Sequence, residues 1–363
     1  MRKIRVLVVD DAVVVRKIVT ESLSRDPEIE VAGIAANGKI CLQKISQVNP
    51  DVVTLDINMP IMDGIEALIE IRKKHISLPV IMFSTLTERG GEKTLEALSL
   101  GANDYVTKPA NMGGAVSAID RIKDELIPKI KQFCFKKVGI APPKAAIPGP
   151  KLSTLTKQPI AKRKFAPTVN QRIDIVAIGV STGGPNALAE LFPVFPKDIP
   201  VPIVLVQHMP PFFTKSLADR LSTKSSIDVF EGKAGDEIHP GQAWLAPGDF
   251  HMEVERKSGS VFLNTTKGPQ ENSCRPAVDV LFRTVAEVYG KNTLAVVLTG
   301  MGQDGLIGCE EIKNFGGQII VQDEKSSVVW GMPGFVARAG LPDKILPLNQ
   351  IGQEIIKKLQ VGR

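Results

Sequence analysis

Short apolar runs alternating with longer amphipathic stretches constrain this chain more than any other feature. Ile4–Val9 reads as a strand and is followed by an amphipathic stretch from Ala12 to Leu23. Val31–Ala35, Val52–Leu55, Val80–Phe83 and Asp104–Val106 complete five strands, with Ile65–Lys73 and Lys93–Leu100 helical among them. Parallel strands need long crossovers, and helices supply them, so the rhythm implies a parallel sheet covered on both faces. The rhythm returns later with different residues. Ile173–Val180, Ile203–Gln207, Leu294–Thr299 and Gln318–Val321 read as buried strands, and Asn186–Phe192, Thr214–Leu221, Val278–Val288 and Leu306–Asn314 as helices. Residues 228–265 add hairpin-like material around Lys257-Ser-Gly259. No repeat links the blocks, so the chain is expected to be α/β throughout, with two different doubly wound parallel-sheet domains.

At roughly 100–200 residues per domain, a length of 363 fits two domains with room for a connection. Residues 133–170 carry six prolines, eight Lys/Arg and no acid, the composition of an interdomain linker. The domains are therefore drawn as 1–132 and 171–363. The net charge of +6 would by itself nominate a polyanionic partner. Its distribution argues otherwise: residues 1–132 are neutral, 171–363 carry −2 and the linker +8. Nucleic acid thus loses its main support. No run approaches the ~20 apolar residues of a membrane span, which argues against membrane insertion, and Asp10 and Asp11 cut short any secretory signal. Cys41, Cys134, Cys274 and Cys309 are widely spaced without a C-x-x-C pair, which fits a reducing compartment. The chain reads as cytoplasmic.

Open α/β sheets gather functional groups in the crevice at the carboxyl ends of their strands. In the first block those ends carry Asp10 and Asp11, Asp56, Ser84 and, just past the fifth strand, Lys108. Three converging carboxylates repel one another unless a hard cation joins them. Mg2+ suits the set, because it binds through one or two carboxylates and otherwise through water and phosphate oxygens. A carboxylate beside it can attack a phosphoryl donor and become an aspartyl phosphate. Lys108 would pair with the added charge, and the Ser84 hydroxyl would bond a phosphoryl oxygen. Each residue singly also fits a helix cap or a loop closure; the set points to phosphoryl chemistry.

The segments VVDDA (8–12), TLDINMPIMDG (54–64), MFST (82–85) and DYVTKPA (104–110) resemble the receiver domain of response regulators over about 130 residues. The resemblance implies a flavodoxin-like fold with Asp56 as phospho-acceptor. It also implies Asp10, Asp11, Asp56 and the Asn58 backbone carbonyl as Mg2+ ligands, and Ser84, Tyr105 and Lys108 as switch residues. Many receivers carry Thr at the position of Ser84, a departure that keeps the hydroxyl.

In the second block, strand Ile173–Val180 runs into Gly179-Val-Ser181-Thr-Gly183-Gly184-Pro185 and then a helix. This is a G-x-S-x-G pattern in a strand–turn–helix context, which exposes a serine hydroxyl on a tight turn. N–H groups at the helix start can face a developing oxyanion. A dinucleotide loop and a purely structural glycine turn are the other readings, although Ser181 occupies the second glycine's place in G-x-G-x-x-G. A nucleophilic serine needs a base and an orienting acid. His208 ends the next strand, and Asp304 follows Leu294–Thr299 in the loop Gly300-Met-Gly-Gln-Asp304-Gly. His75, His239 and His251 lie in less suitable places. The order Ser, His, Asp differs from the Ser, Asp, His of α/β-hydrolases.

The segments IGVSTGGP (178–185), VQHMPPFFTKSLADRL (206–221), SCRPAVDVLF (273–282), LTGMGQDG (298–305) and WGMPGFVARAG (330–340) are similar to the CheB family of chemotaxis protein-glutamate methylesterases across 171–350. The resemblance implies a Rossmann-like esterase domain with Ser181 as nucleophile, His208 as general base and acid, and Asp304 as orienting acid. It implies an oxyanion site from backbone N–H groups, Met301 first and Thr182 beside it. Arg275 is a candidate contact for an acidic receptor segment, an ordinary salt bridge being the other reading.

The implied activity is hydrolysis of glutamate γ-methyl esters on methyl-accepting chemotaxis receptors, with glutamine deamidation as a second activity. A chemotaxis histidine kinase is the implied phosphodonor, and the esterase chemistry needs no cofactor. The receiver is expected to cover the esterase mouth until phosphorylated. As a flexible coil the 38-residue linker spans about 30–37 Å, enough to dock or separate the domains. Two other functions stay open: a receiver-regulated esterase with a different ester substrate, and a receiver driving a DNA-binding output.

Overall fold

Residues 2–108, 119, 122–138 and 171–362 are described by the structure, a computed structural model. The first unit contains β1 (Ile4–Val9), α1 (Val13–Ser24), β2 (Ile29–Ala35), α2 (Gly38–Val48), β3 (Val52–Asp56), α3 (Gly64–Lys74), β4 (Val80–Ser84), α4 (Glu88–Ser99) and β5 (Asp104–Thr107). All strand pairings are parallel, in the order β2-β1-β3-β4-β5. The helix starts follow local chemistry: Asn37 caps α2 through Ile40 N–H, and Asp63 and Glu66 form a capping box on α3. The α2 pattern was not anticipated from the sequence.

A further helix, α5 (Ile127–Val138), follows a π-helical turn at Ile122–Leu126. It runs through the boundary drawn at 132. Ile127, Ile130 and Cys134 are buried at helical spacing against the β1 side of the sheet, so α5 belongs to the first unit's core. Its lysines gave this stretch the basic character of the segment beyond it. The remainder of the expected linker, 139–170, lies outside the described residues.

The second unit comprises β6 (Ile175–Val180), α6 (Gly184–Leu191), β7 (Ile203–Gln207), α7 (Phe213–Lys224), β8 (Asp228–Glu231), β9 (Gln242–Leu245), β10 (His251–Lys257), β11 (Ser260–Thr266), α8 (Val278–Tyr289), β12 (Thr293–Val297), α9 (Leu306–Asn314), β13 (Gln318–Gln322), α10 (Met332–Arg338), β14 (Lys344–Leu346) and α11 (Leu348–Leu359). Seven strands form one parallel sheet, β14-β13-β12-β6-β7-β9-β8. Both domains thus have the expected α/β, parallel-sheet class. The expected hairpin is the antiparallel pair β10–β11, turned at Ser258 and Gly259, both with positive φ. The weakly patterned β8, β9 and β14 extend the main sheet.

The chain leaves β6 toward β7 on one side and returns through β12 on the other. Such a reversal opens a crevice at the carboxyl ends of the central strands. Helices α4 of the first unit and α7 of the second pack together, with Leu95, Leu98 and Tyr105 sharing an apolar cluster with Phe213 and Leu217.

Candidate functional site

In the first unit, Asp10 directly follows β1 and Asp56 ends β3, on adjacent strands, so the fold itself drives these carboxylates together. Both are 2% exposed, whereas Asp11 is exposed. One oxygen from each of Asp10, Asp11 and Asp56 lies within 4.8 Å of the others. Lys108 Nζ is 2.8 Å from both Asp10 Oδ2 and Asp56 Oδ2. Burial, reinforced by the Asp10 charge, pushes the Asp56 carboxyl up to about 6. Burial opposes the charge on Lys108, but hydrogen bonds and attraction from Asp10 and Asp56 raise its pKa on balance.

Closely spaced hard oxygen ligands, with Lys108 as the cation among them, fit a divalent cation such as Mg2+. Asn58 lies two residues beyond Asp56 and turns its side chain to Lys93, whose Nζ donates to Oδ1 at 3.0 Å. Ser84 is buried, and its hydroxyl donates to Gly90 O at 3.1 Å, in the first turn of α4. Tyr105 stacks on Phe213 of the second unit, with ring centroids 5.2 Å apart, and its carbonyl accepts from Lys129 Nζ at 2.8 Å.

In the second unit, Ser181 stands directly after β6. Its N–H donates to Thr299 O at 3.0 Å, and its carbonyl accepts from Gly184 N–H at 2.8 Å, which closes the turn. Glycine is required twice here. Gly183 has φ +79°, and a Cβ on Gly184 would stand 1.9 Å from Gln207 Oε1. The Gln207 amide donates to Ser181 O at 3.0 Å and His208 O at 3.1 Å, tying the ends of β6 and β7 together.

His208 Nε2 lies 2.7 Å from Asp304 Oδ2. Asp304 is 2% exposed and also accepts backbone N–H bonds from Val278, Asp279 and Gly305 and one from the Asn272 amide. Burial opposes its charge, but the His208 contact and the helix-end N–H groups hold its pKa below the usual range. Asp279 answers from the facing helix, accepting from Gly308 N–H at 2.7 Å. Asp304 thus caps the start of α8 while Asp279 caps the start of α9. With fewer donors, Asp279 is pushed up to about 7 by burial and by the Asp304 charge.

The structure brings Ser181, His208 and Asp304 to three neighbouring strand ends, yet the Ser181 hydroxyl makes no hydrogen bond to His208 among the described residues. His208 Nδ1 instead faces Cys274 Sγ at 3.5 Å. Burial opposes charge on His208, but Cys274 and Asp304 raise its pKa well above the usual imidazole value. The Cys274 contact with His208 is a feature of the site that sequence reasoning missed, since spacing tests search only for cysteine pairs. Gly300 packs on the serine, with room for a Cβ denied by Met332 and by Ser181 Cβ at 2.9 Å. Met301 therefore begins a loop anchored against Ser181. The N–H groups of Thr182 and Met301 donate to no group among the described residues.

Arg275 forms an ordinary ion pair, with Nη2 2.6 Å from Asp249 Oδ1 and Nη1 bonded to Gly268 O. His251 is buried between Pro269 O and Ala277 N–H, a structural role. His75 ends α3, and His239 lies exposed near Glu237.

The space over Ser181 and His208 is about 30 Å3 and is also lined by Leu98, Tyr105 and Lys129 of the first unit. That is about the volume of one water. Arg220 donates to Leu95 O, and Asn186 Nδ2 to Leu98 O at 2.8 Å, so side chains of the second unit hold the carboxyl end of α4. Among the described residues, no helix is long and apolar enough to cross a membrane.

A family model described as CheB methylesterase matches residues 176–355, and one described as response regulator receiver domain matches residues 6–120. A protein-glutamate methylesterase/protein-glutamine glutaminase from Trichodesmium erythraeum (strain IMS101) is 52% identical over 359 residues, covering 99% of this chain and 100% of that protein. A protein of the same description from Nocardioides sp. (strain ATCC BAA-499 / JS614) is 47% identical over 359 residues, covering 99% and 96% respectively. The crystal structure of the Thermotoga maritima CheB methylesterase catalytic domain superposes with a TM-score of 0.50 at 46% identity, covering 51% of this chain and 98% of that one.

Proposed function

The chain belongs to the CheB methylesterase family, with a receiver domain ahead of its esterase domain, and on that footing we propose that it hydrolyses glutamate γ-methyl esters on methyl-accepting chemotaxis receptors, releasing methanol, under control of phosphorylation at Asp56. Glutamine deamidation at the same site is the second activity, because an amide presents a similar carbonyl. The observation that carries the reading is the His208–Asp304 pair at 2.7 Å beside the Ser181 turn.

Asp304 fixes His208 through Nε2, so Nδ1 is the nitrogen left to exchange protons with Ser181. Ser181 Oγ attacks the γ-carbonyl as His208 takes its proton, and Thr182 and Met301 N–H groups stabilise the oxyanion. Methanol departs with the proton from His208. Water then hydrolyses the acyl-enzyme through the same imidazole. The absent Ser181–His208 bond belongs to the covered state; such bonds commonly tighten only with substrate in place.

Control runs through α4. Asp10, Asp11, Asp56 and the Asn58 carbonyl would hold Mg2+, which supplies charge neutralisation at the acceptor. A phosphoryl group on Asp56 adds about −1.5 to −2 charge and draws Lys108 and Ser84 toward it. Ser84 then releases Gly90 O, loosening the helix whose far end Arg220 and Asn186 grip over Ser181. The phosphodonor is a chemotaxis histidine kinase.

A serine-directed fluorophosphonate, applied to the phosphorylated chain and read by peptide mass spectrometry, tests the nucleophile. The expected adduct is on Ser181 and is lost in His208→Ala. An adduct elsewhere, with Ser181 unmodified, would remove this mechanism.

A further inference from the structure

The mechanism leaves one nucleophile at its centre unused. Cys274 Sγ lies 3.5 Å from His208 Nδ1, and His208 Nε2 lies 2.7 Å from Asp304. The thiol is therefore the end of a thiol–imidazole–carboxylate chain, and it meets the nitrogen that Ser181 needs. A base within such reach is what activates a cysteine nucleophile.

The placement is held from both sides. Asn272 donates to Asp279 at 2.9 Å and Asp304 at 3.0 Å, and Glu271 and Cys274 exchange backbone hydrogen bonds. Arg275 is tied to Asp249 and Gly268. Asn272 and Ser273 take φ 51° and 61°; asparagine enters this left-handed region readily, whereas for serine it is uncommon and marks a loop held by its surroundings. Of the chain's four cysteines, Cys41, Cys134 and Cys309 are buried, and Cys274 is partly exposed. Reagents in solution thus meet this thiol first.

We propose that Cys274 is a covalent-modification site that gates the esterase: a hydroperoxide oxidises its thiol to a sulfenic acid, and the modified sulfur keeps His208 Nδ1 from Ser181. His208 takes the thiol proton as sulfur forms a bond to one peroxide oxygen and the O–O bond breaks. The departing oxygen leaves as an alcohol, or as water from hydrogen peroxide, carrying that proton. Sulfur loses two electrons and the peroxide gains them. A low-molecular-weight thiol restores the cysteine through a mixed disulfide.

The gating half rests on the esterase reading above; the modification half does not. The test exposes the phosphorylated full chain to hydrogen peroxide, traps sulfenic acid with dimedone in one aliquot, and assays methanol release in another. Dimedone should mark the peptide carrying Cys274, and the rate should fall by about 10²-fold, the scale of losing a general base, then recover with dithiothreitol. Cys274→Ala, whatever its starting rate, should keep that rate to within about twofold after the same exposure. No label on Cys274 overturns the modification. A labelled chain at full rate, or an equal loss in Cys274→Ala, overturns the gating. An untreated chain that releases no methanol would contradict the esterase reading and the gating built on it, while the dimedone result still decides the chemistry at sulfur.

Discussion

At His208 the two ring nitrogens have different partners, and their separation decides the chemistry. Nε2 is committed to Asp304, so the proton transfer of the proposed mechanism and the Cys274 contact compete for Nδ1. Because the folded environment raises the His208 pKa, the neutral base is lost as pH falls through a value above the ordinary imidazole range. Cys274→Ala removes one of the raising influences, so the acid limb of its kcat/KM profile should move to lower pH; an unmoved limb would show that the contact has no electrostatic consequence. Asp56 gives a second residue-scale prediction. Its carboxyl is raised to about 6, so the folded state holds that proton more tightly than the unfolded state does. Stability should fall as pH rises from about 4 to about 6 and stay low above. Without divalent cation, Asp56→Asn should melt later than wild type at pH 7, by on the order of 1–3 kcal/mol, with no advantage below about pH 4. The positions of Ser181, His208 and the receiver acids were legible in the sequence because each stands at or just past the end of an apolar run, where the crevice of a parallel sheet forms, and that of Asp304 because it lies in the glycine-rich loop after a later such run. Cys274, Asn272 and Asp279 were not. The first two lie in an aperiodic loop whose path depends on hydrogen bonds to distant residues, and Asp279 reads as one more polar position at a helix start.

Helix α4 is the element through which the domains meet. Ser84 and Thr94 hydroxyls converge on Gly90 O at its start, while Arg220 and Asn186 take carbonyls near its end. A Cβ at Gly91 would lie 3.1 Å from Ser216 Oγ and 3.4 Å from Phe213 Cα, so the helices approach closely because this residue has no side chain. Arg220→Ala should weaken closure by about 1 kcal/mol and raise the unphosphorylated rate about fivefold, with the phosphorylated rate unchanged. Methanol release measured before and after phosphorylation checks this; a fall in both rates would place Arg220 in substrate binding instead. The sequence placed α4 at 93–100, whereas it spans Glu88–Ser99. The glycine pair Gly90–Gly91 hid the first turn, since glycine weakens helix propensity and is retained here for close packing. The Lys257-Ser-Gly259 hairpin was legible for the opposite reason: its turn chemistry is local.

Across the whole molecule, the two domains meet through α4, α7 and the Tyr105–Phe213 stack, leaving space for about one water over Ser181. The substrate proposed above, a glutamyl ester on a receptor helix, cannot enter until that contact opens. A fragment of residues 171–363 should therefore outpace the unphosphorylated chain in methanol release; equal rates would remove receiver inhibition from the account. Of the charge excess that first suggested a polyanion, +6 belongs to 139–170, between a first unit of +2 and a second of −2. Composition located that excess but not the limit of the folded unit, because α5 carries a buried stripe beneath lysine-rich sequence. The most direct test of the central claim is methanol release from methylated chemoreceptor by the full chain, with and without phosphorylation at Asp56, compared with Ser181→Ala. The account predicts release that rises on phosphorylation and falls to background in the variant. Release by Ser181→Ala at the wild-type rate would contradict it.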